Sequence, residues 1–520
     1  MIFRILVACL VVTQLALSST PRLVILLCYD QLRADRIDVV RPWLSEGGFL
    51  RLMREGVVAD RCMFNYATTV TAAGHATIST GCNPNRHGIV DNDFVIGGRV
   101  HYATDDTLLG VPSPRLLLVP TLGDYMKAVN PSSKVWSFSH KDRGAIFLGG
   151  HRPDGAYWLV PHRGLGTSIY YPPEPAWIDD FNQSNHPAHD AGTTWVAVLP
   201  PSAPPDTIEW EGRFPQGTNV FPHRIPLDTS TDAFWRAFAL TPNAVEWVFR
   251  AARLCIEQER LGADTVPDLL CISVSTTDLV GHLFGHDSRE YAELLVACDR
   301  ILAAFLDELD RRIGRDNYLL VLTSDHGAGS IPELERSRGY YAGRIHNDTL
   351  VARIERWFGQ KAKVYNQRII QYFFPPWLWL NQSVAQEASV PYDSLCSELA
   401  HWLTLQEGIG FAVTAREITT TYDSAGVVAL IARSFRSDRC GDIAIYPKER
   451  WIFGSTPAQH GTFYDYDRSV PLIFYGATLK PGSISGICSP ADIVPTIAKL
   501  LDIPLQTVDG KPLPLPFPIR

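Results

Sequence analysis

Hydroxyls, carboxylates and imidazoles recur in this chain at spacings suited to chemistry on a polarised oxygen. The stretch Thr68-Thr69-Val70-Thr71-Ala72-Ala73-Gly74-His75-Ala76-Thr77-Ile78-Ser79-Thr80-Gly81 is small and hydroxyl-rich. It leads past Cys82 into Asn83-Pro84-Asn85-Arg86-His87-Gly88-Ile89-Val90-Asp91-Asn92. On its own it also fits a polar loop ahead of a helix cap. A hydroxyl becomes a useful nucleophile only when a base or a metal takes its proton. The candidates for that task lie far along the chain. Asp278-Leu279-Val280-Gly281-His282 sets a carboxylate and an imidazole four apart, on one side of a helical turn. Asp325-His326-Gly327 sets the same pair side by side, with a glycine to permit a sharp exit. His460-Gly461 stands in a polar loop, and Asp30 ends an apolar run. Carboxylate and imidazole are zinc ligands. Three Asp, three His and the Thr71 hydroxyl suffice for two tetrahedral ions. His75, His87, His140, His151 and His286 read as hydrogen-bonded structural residues.

The elements that must position these groups read as strands and helices of an α/β fold. The segments at 22–30, 269–278 and 318–325 are apolar runs that each end in Asp. Such runs read as strands buried on both faces of a parallel sheet, and sites in open α/β sheets form beyond the carboxyl ends of strands. The run at 470–475 reads as a fourth of this kind. Helical periodicity fills 244–261, 288–312 and 491–501, the last capped by Ser489 or Asp492. Residues 150–235, rich in Pro, Trp, His and Gly, read as an insertion. Residues 335–455 read as a second insertion, the alternative being an independent domain.

The chain has 520 residues, 46% hydrophobic and 20% charged, which is ordinary globular composition. A net charge of -8 with no basic run argues against nucleic acid as a partner. Residues 1–18 read as a secretory signal: Arg4, an apolar run from Ile5 to Leu17, and the small-residue cleavage site Ala16-Leu17-Ser18. That run is too short to span a membrane. Leu6-Val7-Ala8-Cys9 has the letters of a lipoprotein box, but its apolar run follows the cysteine, so lipidation is not expected. Residues 19–520 then form one exported domain, periplasmic or secreted. Cys28 and Cys271 read as buried thiols, whereas Cys62, Cys82, Cys396, Cys440 and Cys488 lie near turns where bridges can form.

Seven motifs together resemble the alkaline phosphatase superfamily, within it the monomeric, threonine-nucleophile, PafA-like branch. They are Asp30 after its strand, VTAAGHATISTG with Thr71, HGIVDN with Asn92, HKDRGAIFLGGH with Lys141 and Arg143, TTDLVGH, SDHG, and HGTFYDYDRSVPLIFYG with His460. The resemblance implies a three-layer sandwich with a mostly parallel central sheet and two insertions. It implies one Zn2+ on Asp30, Thr71, Asp325 and His326, and a second on Asp278, His282 and His460. Thr71 becomes the phosphorylated nucleophile, and Asn92, Lys141 and Arg143 contact the phosphoryl oxygens of small-molecule phosphate monoesters. Charge counting agrees: two Zn2+ give about +4, three Asp and an alkoxide about -4, and Lys141 with Arg143 about +2, which a monoester dianion neutralises.

Cys82-Asn83-Pro84-Asn85-Arg86 spells the C-x-P-x-R signature of sulfatases, but it lies after Thr80-Gly81, whereas Thr71 holds the nucleophile's earlier place. The rival enzyme reading is a nucleotide pyrophosphatase/phosphodiesterase, which lacks the Lys/Arg pair. A non-catalytic secreted metal-binding protein is the rival from another class.

Overall fold

The computed structural model describes residues 20–516, apart from 207, 364–365, 421–424 and 477–478. The expected signal segment lies outside the described residues. Strand β1 (Leu23–Tyr29) is buried throughout. Leu23, Ile25, Leu27 and Tyr29 enter one core, while Val24, Leu26 and Cys28 enter another on the opposite face. Each such fully buried aliphatic side chain contributes about 2 kcal/mol, so β1 is a firm support for Asp30 at its end. Strand β2 (Val57–Met63) precedes helix α1 (Thr71–Thr80), and a hairpin, Asp93–Ile96 with Arg99–Tyr102, follows Asn92. Helix α2 (Leu122–Val129) leads to β3 (Val135–Ser139), α3 (Asp142–Gly149), β4 (Gly155–Val160) and β5 (Gly164–Gly166). Next come α4 (Pro242–Gln258), β6 (Asp268–Val274), α5 (Thr276–Phe284), α6 (Arg289–Arg312) and β7 (Tyr318–Thr323). The Ser288 hydroxyl caps α6 by accepting from the Tyr291 N–H.

Strands β8 (Ile370–Phe374), β9 (Trp377–Leu380), β10 (Ile409–Thr414) and β11 (Ile443–Pro447) form a separate antiparallel sheet. The chain returns to the main sheet through β12 (Ser469–Val470), β13 (Ile473–Gly476) and β14 (Gly482–Cys488), and helix α7 (Ile493–Leu501) follows. The main sheet has ten strands in the order β12-β2-β13-β7-β1-β6-β3-β4-β5, with β14 beside β2. Its centre, β7-β1-β6-β3-β4, is parallel. Helices α4 and α6 cover one face, and α2 and α7 the other, giving the expected three layers. Among the described residues, no helix is long and apolar enough to cross a membrane.

Three expectations change. The run at 470–475 splits into two strands, and β13 lies antiparallel between β2 and β7. Apolar composition sets burial and carries no strand direction. Asp278 does not end a strand: β6 stops at Val274, and Asp278 stands in the first turn of α5. Finally, β4 and β5 fall inside the segment read as the first insertion, yet they extend the main sheet. The nine cysteines of the described residues are buried free thiols.

Candidate active site

The parallel strands end along one edge, and the chemistry gathers there. Asp30 follows β1, its N–H donating to the Val274 carbonyl of β6 at 3.1 Å. Asp325 and His326 follow β7, and α5 brings Asp278 and His282. Thr71 opens α1, where unpaired N–H groups and the helix dipole favour negative charge on its oxygen. The Asn92 side-chain oxygen Oδ1 accepts from the Ala72 N–H at 3.0 Å, which places the Asn92 amide at this same helix end. Gly74 allows α1 to seat on the SDH segment: a Cβ there would meet the Asp325 carbonyl oxygen at 2.1 Å.

Thr71, Asp30, Asp325 and His326 are almost completely buried, as is Asp278. The Thr71 Oγ1 lies 3.5 Å from His326 Nε2. His326 Nε2 is 3.6 Å from Asp30 Oδ1 and 3.5 Å from Asp325 Oδ2. His282 Nε2 is 3.2 Å from Asp278 Oδ1, and His460 Nε2 is 3.7 Å from the same oxygen. The His326 and His460 rings stack with centroids 3.7 Å apart. All seven donors expected from the sequence therefore come together.

Their hydrogen bonds fit a metal. In each of the three imidazoles Nδ1 faces a backbone carbonyl: Ala458 for His282 at 2.9 Å, Gly327 for His326 at 3.0 Å, and Thr69 for His460 at 2.7 Å. Donation from Nδ1 leaves Nε2 as a lone pair. His282 and His460 point those lone pairs at each other across 3.2 Å, an arrangement that calls for a cation between them. Asp30 Oδ1 is buried without a hydrogen-bond partner. Asp278, His282 and His460 form one group with ligand spacing, and Asp30, Asp278 and His326 another.

Lys141 stands in extended conformation two residues past the end of β3, capping α3, and Arg143 lies in the first turn of that helix. The Lys141 ammonium bridges Asp30 Oδ2, at 2.8 Å, and Asp278 Oδ2. Burial, then Asp278 and Asp325, push the Asp30 carboxyl well above its ordinary range. Burial acts the same way on Asp278, but His282 and Lys141 beside it outweigh that effect and hold it well below. The Arg143 Nη1 donates to the Tyr102 hydroxyl at 2.7 Å, which in turn donates to Asp142 at 2.9 Å. Thr104 donates to the other Asp142 oxygen at 2.9 Å.

Tyr102, Asp142 and Gln31 carry no spacing signal in the sequence, and their part in the site emerges only in the fold. His75 is hydrogen-bonded, as expected, but its Nδ1 lies 2.8 Å from the Thr71 carbonyl and 3.1 Å from Asp325 Oδ2, so it braces the site. His87, His140 and His151 are hydrogen-bonded elsewhere. His286 differs from expectation, since neither ring nitrogen has a hydrogen-bond partner; its ring packs edge-on against Tyr291.

The type I phosphodiesterase / nucleotide pyrophosphatase family profile matches residues 24–467, and the chain belongs to that family. Its place there is among the PafA-like alkaline phosphatases. It is 30% identical to alkaline phosphatase PafA of Elizabethkingia meningoseptica, over 95% of this chain and 94% of the relative. It is 30% identical to alkaline phosphatase PhoV of Synechococcus elongatus, over 93% of this chain and 90% of the relative. The crystal structure of wild-type PafA superposes with a TM-score of 0.88 at 29% identity, covering 95% of this chain and 98% of that one.

Cys82 lies beyond Gly81, at the far end of α1 from Thr71. Ten helical residues span about 15 Å. Burial pushes its thiol up to about 11, away from reactivity. Cys82→Ser is expected to leave turnover nearly unchanged, and mass spectrometry should find an unmodified cysteine in the parent protein. Formylglycine at Cys82, with sulfate esters preferred, would reverse the assignment.

Proposed function

We propose that this protein hydrolyses phosphate monoesters at a two-zinc site through a phosphothreonine intermediate, and that it acts after export as a single catalytic domain. The observation that supports the reading best is the convergence of Thr71, three Asp and three His beside Lys141 and Arg143. Monoester hydrolysis itself agrees with the named activity of the alkaline phosphatase relatives.

Asp30, Thr71, Asp325 and His326 would hold one ion, and Asp278, His282 and His460 the other. Bound zinc would supply Lewis acidity, lowering the pKa of a hydroxyl or water and offsetting charge on the leaving oxygen. The Thr71 oxygen attacks phosphorus in line, and the leaving alcohol departs on the opposite side. Water then cleaves the phosphothreonine, returning the Thr71 hydroxyl. Asn92, Lys141 and Arg143 orient the phosphoryl oxygens during both displacements. The Tyr102–Asp142 pair holds the guanidinium in place for this.

The Lys/Arg pair also separates this reading from a diesterase. A monoester dianion has three non-bridging oxygens that share two charges, and a diester two that share one. A planar guanidinium suits the third, where charge also sits in the transition state. Lys141→Ala and Arg143→Ala are each expected to cut monoester kcat/KM by on the order of 10²-fold or more, as loss of a transition-state donor does. Diester hydrolysis should fall much less. A panel of monoesters, diesters and sulfate esters measures this, and equal losses on monoesters and diesters would remove the support for a monoesterase.

A further inference from the structure

Gln31 follows Asp30 at the end of β1 and is fully buried. Its backbone stands at φ 64, in the left-handed region, which costs a residue with a Cβ about 1–2 kcal/mol. The turn sends two donors in different directions. The Gln31 N–H donates to Asp325 Oδ1 at 3.0 Å, and its side-chain amide donates to Asp278 Oδ1 at 2.7 Å. One residue thus reaches a carboxylate from each of the two ligand sets proposed above. The amide's other atom, Oε1, is buried without a partner. It lies against Gly281, where an added Cβ would come within 2.0 Å of it. Gly281 sits inside α5 between Asp278 and His282, and glycine in a helix interior costs about 1 kcal/mol relative to alanine. Two locally unfavourable choices therefore face each other, at the point where one carboxylate must be aimed. Such paired local costs are expected where a site, rather than the fold, sets the residue.

We infer that Gln31 and Gly281 form a positioning pair for the second cation. The Gln31 amide fixes the Asp278 carboxylate, Gly281 leaves room for that amide, and the Gln31 N–H independently fixes Asp325 for the first cation. Asp278 Oδ1 has a second lone pair, which it turns toward His282 and His460. The left-handed turn keeps the two functions separable, because the backbone donor survives loss of the side chain.

This inference rests on the two-ion reading, and its test separates the two. Gln31→Gly keeps the N–H and relieves the backbone, and Gln31→Met keeps length but has no donor. Zn2+ affinities are measured by competition with a chromogenic chelator, alongside the Tm of the metal-free protein. In both variants one ion should weaken about 10- to 100-fold, the usual effect of losing a partner of a metal ligand, while the other holds. The metal-free Tm of Gln31→Gly should not fall. Combining Gln31→Gly with Asp278→Ala should add nothing further, whereas combining it with Asp325→Ala should add a separate loss. Gly281→Ala should reproduce the selective weakening, and retention of both ions there would overturn the part given to Gly281. If the wild-type chain binds two ions and the Gln31 variants weaken neither, or both equally, the inference is overturned alone. A wild-type chain that binds fewer than two ions overturns it together with the two-ion reading.

Discussion

Thr71→Ala is expected to lower monoester kcat/KM by about 10⁴-fold or more, the scale on which removal of a covalent nucleophile acts. The residue is almost fully buried at the first position of α1, and its oxygen stands 3.5 Å from His326 Nε2. Alanine keeps the Cβ and is the better helix former, so the packing of α1 against Asp325 through Gly74 should persist. Zinc content should largely survive, because six other donors remain. Activity is thus expected to collapse with little change in Tm, a split that a merely structural role would not give. Thr71→Ser should retain part of the activity, since a hydroxyl remains. Acid quenching during turnover of a labelled monoester should trap phosphate on Thr71 in the parent protein. Label on any other residue would contradict the proposal.

Removing zinc with a chelator should bring hydrolysis to background, and Zn2+ should restore it. The argument is electrostatic. Asp30, Asp278 and Asp325 converge in a buried space in which Lys141 is the ammonium that pairs with two of them. Burying like charges is costly unless cations offset them. The two facing Nε2 lone pairs of His282 and His460 make the same demand. Binding to the folded state alone also stabilises it, so Tm should fall on chelation together with activity. Full activity in protein shown by elemental analysis to be free of metal would refute the zinc requirement.

Much of this arrangement was legible in the sequence because burial and chemistry coincided in short segments. Apolar runs ending at Asp30 and Asp325 announced both the parallel strands and the edge where they stop. Helical periodicity read from residue 288 onward matches α6, whose first turn the Ser288 hydroxyl caps. Other features depend on partners distant in the chain. Gln31 meets Asp278 across 247 positions, and nothing local distinguishes it from an ordinary polar residue after a strand. Tyr102 lies on a hairpin and acquires its role only when that hairpin reaches Arg143. Strands β4 and β5, which end the main sheet on one side, lie in a Gly- and Pro-rich region whose composition masked them. Direction was equally hidden for β13, since an apolar segment buries equally well running either way.

The position of β13 bears on how the molecule comes into being. It lies between β2 and β7, although about four hundred residues separate it from the first of these along the chain. Until the last segments have been synthesised, the main sheet has an open slot, and His460 has not joined its partners. A polypeptide emerging from the ribosome therefore lacks β13 and His460, and a fragment truncated before residue 460 is expected to be inert and to lose the second of the two proposed ions. Closure of the sheet and completion of the proposed centre thus both wait on the C-terminal quarter of the chain, where β13 fills the slot between β2 and β7 and the preceding loop carries His460.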